Sequence, residues 1–153
     1  MNVRTATVDD LPRVLNLVTQ MFRDLGTPVA SAEWQHAARH RLEAADAIAT
    51  VVATDDRNEP IAVAVGIIDE RIPSPRRPDG RIGYVEWLAT DPHYRRRGAA
   101  RLVMTALLDW FDEQGVATVD VHASPYAHPL YQALGFRPPA ATPLRRIKPD
   151  DDR

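Results

Sequence analysis

The chain has 153 residues, of which 44% are hydrophobic and 26% charged, so it is long enough for one ordinary domain and too apolar for intrinsic disorder. Nineteen Lys and Arg against 21 Asp and Glu give a net charge of −2, which argues against a module that binds nucleic acid through an overall basic field. The lack of cysteine excludes disulfides, thiolate metal sites and cysteine nucleophiles. Because no apolar run is long enough for a leader or a membrane span, we expect one cytoplasmic domain over residues 1–153.

The first half of the sequence predicts a strand, two helices and a hairpin. Residues 3–7 alternate apolar and polar side chains, and apolar residues then recur over residues 11–25 at the spacing of one buried helical stripe. A weaker helix is predicted at residues 31–45. Two strands rich in Val, Ile and Ala, at 48–54 and 61–68, are separated by a polar turn and predict an antiparallel hairpin.

The second half predicts a parallel crossover. Prolines and a glycine between residues 71 and 80 indicate a loop. A strand at 83–90, a helix at 98–114 and a strand at 116–122 then form a β-α-β unit. This order predicts an α/β fold with a mixed sheet, antiparallel at its front and parallel at its back.

The segment between that strand and that helix carries the clearest sign of a ligand. Small residues at Gly98, Ala99 and Ala100 allow a ligand to approach the backbone, where the first-turn N–H groups and the helix dipole favour an anion. Four cations at this helix end repel one another unless an anion binds between them: Arg95, Arg96, Arg97 and Arg101. The segment therefore predicts a phosphate-bearing ligand, with a solvated basic turn as the alternative. Neither a P-loop nor a dinucleotide-binding glycine motif is present.

Two motifs in order resemble the GCN5-related N-acetyltransferase (GNAT) superfamily, whose members are acetyl-coenzyme A-dependent acyltransferases. Arg95-Arg96-Arg97-Gly98-Ala99-Ala100 fits the signature Gln or Arg, two residues, Gly, one residue, Gly or Ala. Tyr131-Gln132-Ala133-Leu134-Gly135-Phe136 fits the tyrosine, three residues and Gly-Phe that end the family core. The resemblance runs from Val3 to about Lys148. It implies a single-domain GNAT fold with a mixed sheet of six to seven strands, including one at 143–148, and four flanking helices.

The resemblance also implies acetyl-coenzyme A as co-substrate. The pyrophosphate is expected on the loop of residues 96–101 and the pantetheine arm along the backbone of residues 88–90, with an amide near Leu88 as oxyanion donor at a bulge. The residues implied for co-substrate binding are Leu88, Ala89, Thr90, Arg95, Arg96, Arg97, Gly98, Ala99, Ala100, Arg101 and Ser124. Ser124 stands where the family often has asparagine, and Pro129 indicates that the last helix begins near His128.

Two residues are implied in the chemistry. Tyr131 matches the family tyrosine that protonates the departing thiolate, and a core aromatic residue is the alternative. Glu86 is the candidate base, because an alkyl amine is mostly ammonium at neutral pH, and a solvated strand residue is the alternative. Strand alternation predicts Tyr84, Glu86 and Leu88 on one face, and Val85 and Trp87 on the other.

The histidines are weaker candidates. His36 and His40 have the spacing of two helical metal ligands but lack a third, so we predict no metal site. His122 is a second acid or base candidate, and His128 either caps the last helix or lines the acceptor site.

The predicted function is acetyl transfer from acetyl-coenzyme A to a primary amine of an unidentified small-molecule acceptor, by direct attack in a ternary complex. A non-catalytic acyl-coenzyme A-binding or sensing domain is the alternative. The expected partners are acetyl-coenzyme A and the amine acceptor, without nucleic acid or membrane. A homodimer is common among such enzymes, although no residue here identifies an interface.

Overall fold

A computed structural model describes residues 1–44 and 46–149. Over these residues the chain forms five strands and four α-helices: β1 (Asn2–Thr5), α1 (Leu11–Asp24), α2 (Glu33–Ala44), β2 (Ile48–Thr54), β3 (Pro60–Glu70), β4 (Arg81–Thr90), α3 (Ala99–Glu113), β5 (Val119–Val121) and α4 (His128–Ala133). The chain forms two compact units, Met1–His122 with the sheet and α1 to α3, and Ala123–Arg153 with α4. Residue 45 of the predicted second helix and residues 150–153 of the predicted domain lie outside the described residues. Among those described, each helix is too short or too polar to cross a membrane.

The strands form one mixed sheet in the order β1-β2-β3-β4-β5. Strands β1 to β4 pair antiparallel, and β5 pairs parallel to β4 after the crossover through α3. The predicted hairpin, crossover and mixed α/β fold are therefore confirmed.

The sheet has fewer strands than the six to seven predicted, because residues 143–148 form no strand. Pro143 lacks an amide donor for a strand ladder, and Leu144 is 93% exposed, so burial on a sheet face does not hold this segment. The predicted strand at 116–122 shortens to Val119–Val121 because Val116 completes the end of α3. Its N–H donates to the carbonyl of Phe111 at 3.0 Å, after Gly115 turns the chain at a positive φ of 73°.

The two faces of the sheet are packed differently. On one face, buried apolar residues of α1 meet Val52 of β2, Val63 and Val65 of β3, and Ala89 of β4. On the other face, α3 lies so close that two strand positions must be glycine. A Cβ on Gly66 would lie 2.7 Å from Leu107 Cδ1, and a Cβ on Gly83 would lie 2.6 Å from Phe111 Cε1. These glycines fix how closely α3 approaches β3 and β4.

In the second unit, α4 begins at His128 as predicted, with Pro129 in its first turn. The preceding turn is ordered by Ser124, whose carbonyl accepts the N–H groups of Ala127 at 3.1 Å and His128 at 3.0 Å. The Ser124 hydroxyl also accepts the Ala127 N–H at 3.3 Å.

Candidate active site

A β-bulge interrupts β4 at Glu86. Val65 of β3 lies opposite Trp87, whereas the next β3 residue, Gly66, lies opposite Val85. Glu86 is therefore the extra residue of β4, without a counterpart on β3. A bulge in this strand was expected from the family resemblance, and the register places it at the candidate base.

The bulge reverses the alternation of β4. Gly83 faces α3, because Phe111 lies against it, and Val85 faces the same way two residues later. Trp87 instead lies on the α1 side, where its ring packs edge-to-face against Phe22 and Trp34 with centroids 6.4 Å and 6.5 Å away. The predictions that Val85 and Trp87 share one face, and that Tyr84 and Leu88 share the other, are both wrong, because one extra residue inverts every side chain that follows.

Beyond the bulge, β4 separates from β5. Within the described part of the chain, β5 pairs with β4 at residues 83–85 only. The N–H of Asp91 donates to the carbonyl of Ile61 on β3 at 2.8 Å, so alternation turns the backbone groups of Leu88 and Thr90 away from β3. Both residues thus present their peptide groups at the edge where β5 has ended.

The Glu86 carboxylate lies in an electrostatically unfavourable position. Its side chain is exposed at the surface, yet the surrounding protein removes part of its hydration and raises the pKa of Glu86 above the ordinary 4.5. The negative charge of Asp69, on β3, raises it further. A raised pKa makes the carboxylate a better proton acceptor, as a base acting on an ammonium group requires.

His122 lies close to the same strand. Its Nδ1 is hydrogen-bonded to the Tyr84 hydroxyl at 2.9 Å, and the two rings meet edge-to-face at 5.5 Å. Tyr84 precedes Glu86 by two residues. The structure thus brings His122 to β4, whereas His36 and His40 are exposed on α2. The described residues contain no cluster of three or more His, Cys, Asp or Glu able to hold a metal ion.

The loop of residues 95–98, here called the arginine loop, leads into the N-terminus of α3. Two residues adopt positive φ angles, Arg96 at 63° and Gly98 at 85°, which curve the backbone before the helix. The first helical hydrogen bond of α3 runs from the Leu102 N–H to the Gly98 carbonyl at 3.0 Å. The N–H groups of residues 99–101 precede this bond, and no side chain caps the helix. These amides, together with the nearby guanidinium groups, have the donor chemistry that a pyrophosphate needs.

The four arginines divide into two pairs. Arg95 bonds to the Asp24 carboxylate of α1 at 2.5 Å, and the Arg97 guanidinium lies 5.4 Å from the centre of the Tyr94 ring. Arg96 and Arg101 are exposed, at the loop and at the first turn of α3. All four were predicted to bind the co-substrate, and the structure places Arg95 and Arg97 in contacts with protein groups.

Asp91 anchors the start of this segment, and sequence reasoning assigned it no role. One carboxylate oxygen accepts the His93 N–H at 2.8 Å, and the other accepts Arg13 Nη2 of α1 at 2.5 Å. Burial alone would raise the pKa of Asp91, but the His93 amide and Arg13 hold it below its usual 3.8. Asp91 followed by a proline is a local capping signal, whereas nothing in the sequence pairs Arg13 with it.

Tyr131 and Ser124 belong to the second unit. Tyr131 is buried, with 5% of its surface exposed, and its ring meets Phe136 edge-to-face at 5.4 Å. Ser124 orders the turn before α4, as described above. Their roles in chemistry and co-substrate binding remain predictions.

A bulged β4 that parts from β5 and leads into a helix N-terminus without a side-chain cap defines the class as a mixed α/β fold with a strand-to-helix crossover. The model of the acetyltransferase (GNAT) family matches residues 12–136, so the chain belongs to the GNAT family. Members of this family use acetyl-coenzyme A as co-substrate.

Known proteins support this assignment. The ribosomal protein bS18 alanine N-acetyltransferase of Escherichia coli (strain K12) is 40% identical over 68 residues, which cover 42% of this chain and 45% of that protein. The match thus spans less than half the length of these curated relatives. A GCN5-related N-acetyltransferase from Ralstonia eutropha JMP134 superposes with a TM-score of 0.81 at 27% identity, over 95% of this chain and 97% of that one. An acetyltransferase from Clostridium acetobutylicum, solved with acetyl-coenzyme A, has the same fold, with a TM-score of 0.84 at 20% identity over 95% of both chains.

Proposed function

We propose that this protein transfers the acetyl group of acetyl-coenzyme A to a primary amine by direct attack, with both substrates bound together. The observation that carries the proposal is the order of parts along one continuous segment. The bulge at Glu86 is followed at once by the outward-facing backbone of Leu88 and Thr90, and then by the anion-binding start of α3. The absence of cysteine supports direct attack over a thiol-bound acyl intermediate.

In this proposal, backbone groups hold most of the co-substrate. The amides of residues 99–101 and the exposed guanidinium groups of Arg96 and Arg101 bind the pyrophosphate. The peptide groups of Leu88 and Thr90 pair with the amides of the pantetheine arm, as an added strand pairs with a sheet edge. Acetyl-coenzyme A supplies the activated thioester.

Three further groups act at the reacting atoms. Glu86 takes the proton from the acceptor ammonium, directly or through a water, so that the neutral amine can attack. The Leu88 amide donates to the carbonyl oxygen as negative charge develops there. Tyr131 donates a proton to the departing thiolate, a role that rests on its match to the family motif.

We infer a small amine as the acceptor. The relatives add a second class of acceptor to test, the N-terminal amine of a peptide or protein. The curated relatives are named for an alanine of ribosomal protein bS18, and their identity to this chain covers less than half of either protein. An acceptor panel therefore contains alkyl diamines, amino acids, amino sugars and a short peptide that begins with alanine. Release of free thiol measures turnover on each.

Calorimetric titration with acetyl-coenzyme A tests the first step. We expect the wild-type chain to bind, and the Arg96→Ala, Arg101→Ala double variant to bind at least tenfold more weakly, because each hydrogen bond to a charged group contributes about 1.5–3 kcal/mol. The matched control is Arg57→Ala, Arg146→Ala, which removes the same charge from exposed positions outside both the arginine loop and α3. Equal weakening in both double variants would mean that only general electrostatics is involved.

Two results would contradict the proposal. If folded wild-type protein fails to bind acetyl-coenzyme A, the arginine loop is only a solvated basic turn. Binding without acetylation of any amine in the panel would instead favour the acyl-coenzyme A-sensing alternative.

A further inference from the structure

Helix α1 holds the segment that leads into the arginine loop at two separate points. Arg13, near the start of the helix, bonds to Asp91, and Asp24, at its end, bonds to Arg95. The two α1 residues are eleven positions apart, about 16 Å along a helix, whereas their partners are only four residues apart. Since four residues span at most about 14 Å, the long arginine side chains must bridge the difference. The segment itself is compact, a 3-10 turn at Pro92–Tyr94 closed by the Tyr94 N–H on the Asp91 carbonyl at 2.9 Å, so α1 holds it at both ends through these side chains.

Arg13 and Asp91 each make further hydrogen bonds besides their ion pair. Arg13 Nε also donates to the carbonyl of Pro60 at 3.0 Å, which ties α1 to the first residue of β3. The partner, Asp91, is bonded through its own N–H to the carbonyl of Ile61 and caps the turn at His93. With only 14% of the Asp91 side chain exposed, these bonds fix the point at which β4 ends and the loop begins.

Beyond these contacts the backbone is strained, and neighbouring side chains carry the same charge. Arg96 holds a positive φ without being glycine, a conformation that costs free energy unless its surroundings enforce it. Neighbouring guanidinium groups also repel one another, and Asp24 neutralises that of Arg95. Both effects oppose the curved shape that presents the amides of α3 to an anion.

We propose that Arg13 and Asp24 are positioning residues for acetyl-coenzyme A, which hold the arginine loop in its anion-binding shape before the co-substrate arrives. The inference rests on the proposed function, because it concerns the same binding site. Neither residue touches the co-substrate in this scheme, since Arg13 acts through Asp91 and Asp24 acts through Arg95. Their loss lowers the fraction of molecules in the binding-competent shape, and the apparent Kd rises by the same factor.

The experiment combines calorimetry with hydrogen exchange on the full chain. For Arg13→Gln we expect the Kd for acetyl-coenzyme A to rise about tenfold. This is the rise expected if about a tenth of the molecules hold the arginine loop in its binding-competent shape. For Asp24→Asn, whose ion pair is more exposed, we expect a rise of about twofold to fivefold. In the absence of co-substrate, the hydrogen-bonded amides of Asp91, His93 and Tyr94 should exchange faster in Arg13→Gln, while those of residues 103–111 keep their wild-type rates.

The matched control is Arg4→Gln, which removes another part-buried ion pair of this unit, that of Arg4 with Asp10 at 2.6 Å. Arg13→Lys keeps the charge but loses the planar fork, and should recover part of the affinity. Unchanged affinity in Arg13→Gln overturns the inference. Equal loss in Arg4→Gln, with faster exchange throughout α3, also overturns it, because the effect is then general destabilisation. Wild-type protein that does not bind acetyl-coenzyme A refutes the proposed function instead, and the exchange comparison still tests the contacts of α1.

Discussion

Replacing Gly83 with alanine should force α3 away from the sheet. The added Cβ would lie 2.6 Å from Cε1 and 2.8 Å from Cδ1 of Phe111, whereas carbon atoms in contact lie about 3.5–4.0 Å apart. The ring must therefore move by about 1 Å. Phe111 is fully buried and already lies against Gly66, so no empty space receives it. Overpacking of this kind costs about 1–3 kcal/mol.

Urea unfolding of Gly83→Ala measures this cost. We expect a lower midpoint with an unchanged slope, and weaker binding of acetyl-coenzyme A, because α3 carries the amides of residues 99–101. Phe111→Leu removes the ring atoms that clash, so adding Gly83→Ala to that background should cost much less than adding it to wild type. A loss below about 0.5 kcal/mol, or the same loss in both backgrounds, would refute the packing argument.

Three further substitutions test the chemistry and the fold. Glu86→Gln should lower turnover most at pH values above the pKa of Glu86 and well below that of the acceptor amine, and leave acetyl-coenzyme A affinity intact. Because folding raises the pKa of Glu86, the protonated side chain contributes to stability at low pH, and this contribution is lost as pH rises through that pKa. At pH 7 the neutral glutamine avoids the unfavourable charge, so the variant should melt at a higher temperature than wild type. Tyr131→Phe should slow thiol release with little change in affinity, and an unaltered rate would remove Tyr131 from the mechanism. Asp10→Asn should cost about 1–3 kcal/mol at pH 7, because Arg4 loses its charged partner. The pKa of Asp10 is lowered, chiefly by Arg4, so urea unfolding should show this cost shrinking as pH falls below the ordinary 3.8.

Elements that local periodicity controls could be predicted from the sequence. The apolar stripe of α1 gave its bounds to within one residue, and the runs of Val and Ile gave the hairpin of β2 and β3. The position of the arginine loop between a strand and a helix could be predicted, because Gly98 and the small residues after it follow β4 and open α3. In each case the deciding signal lies within a few residues of the element itself.

The bulge position and the contacts of the arginine loop depend on residues far apart in the sequence. Glu86 is unpaired because β3 binds β4 in two registers that differ by one residue, and no feature of residues 83–90 alone reveals the shift. Arg13 and Asp91 are 78 positions apart and meet only when α1 packs on the sheet. The strand that the family resemblance implied at 143–148 does not form, because Pro143 has no N–H to donate to a neighbouring strand. Here the local sequence opposes the family pattern.

The bulge reconciles two packing demands that a regular strand could not meet. Without the extra residue, Trp87 would follow Val85 onto the α3 face, where Phe111 and Leu107 already occupy the space over the glycines. Reversal of the alternation instead sends Trp87 to Phe22 and Trp34. The cost falls on Glu86, whose carboxylate loses hydration near Asp69. The raised pKa of the Glu86 carboxylate is thus a physical consequence of how β4 is packed, and the same shift in phase turns the Leu88 amide towards the open edge.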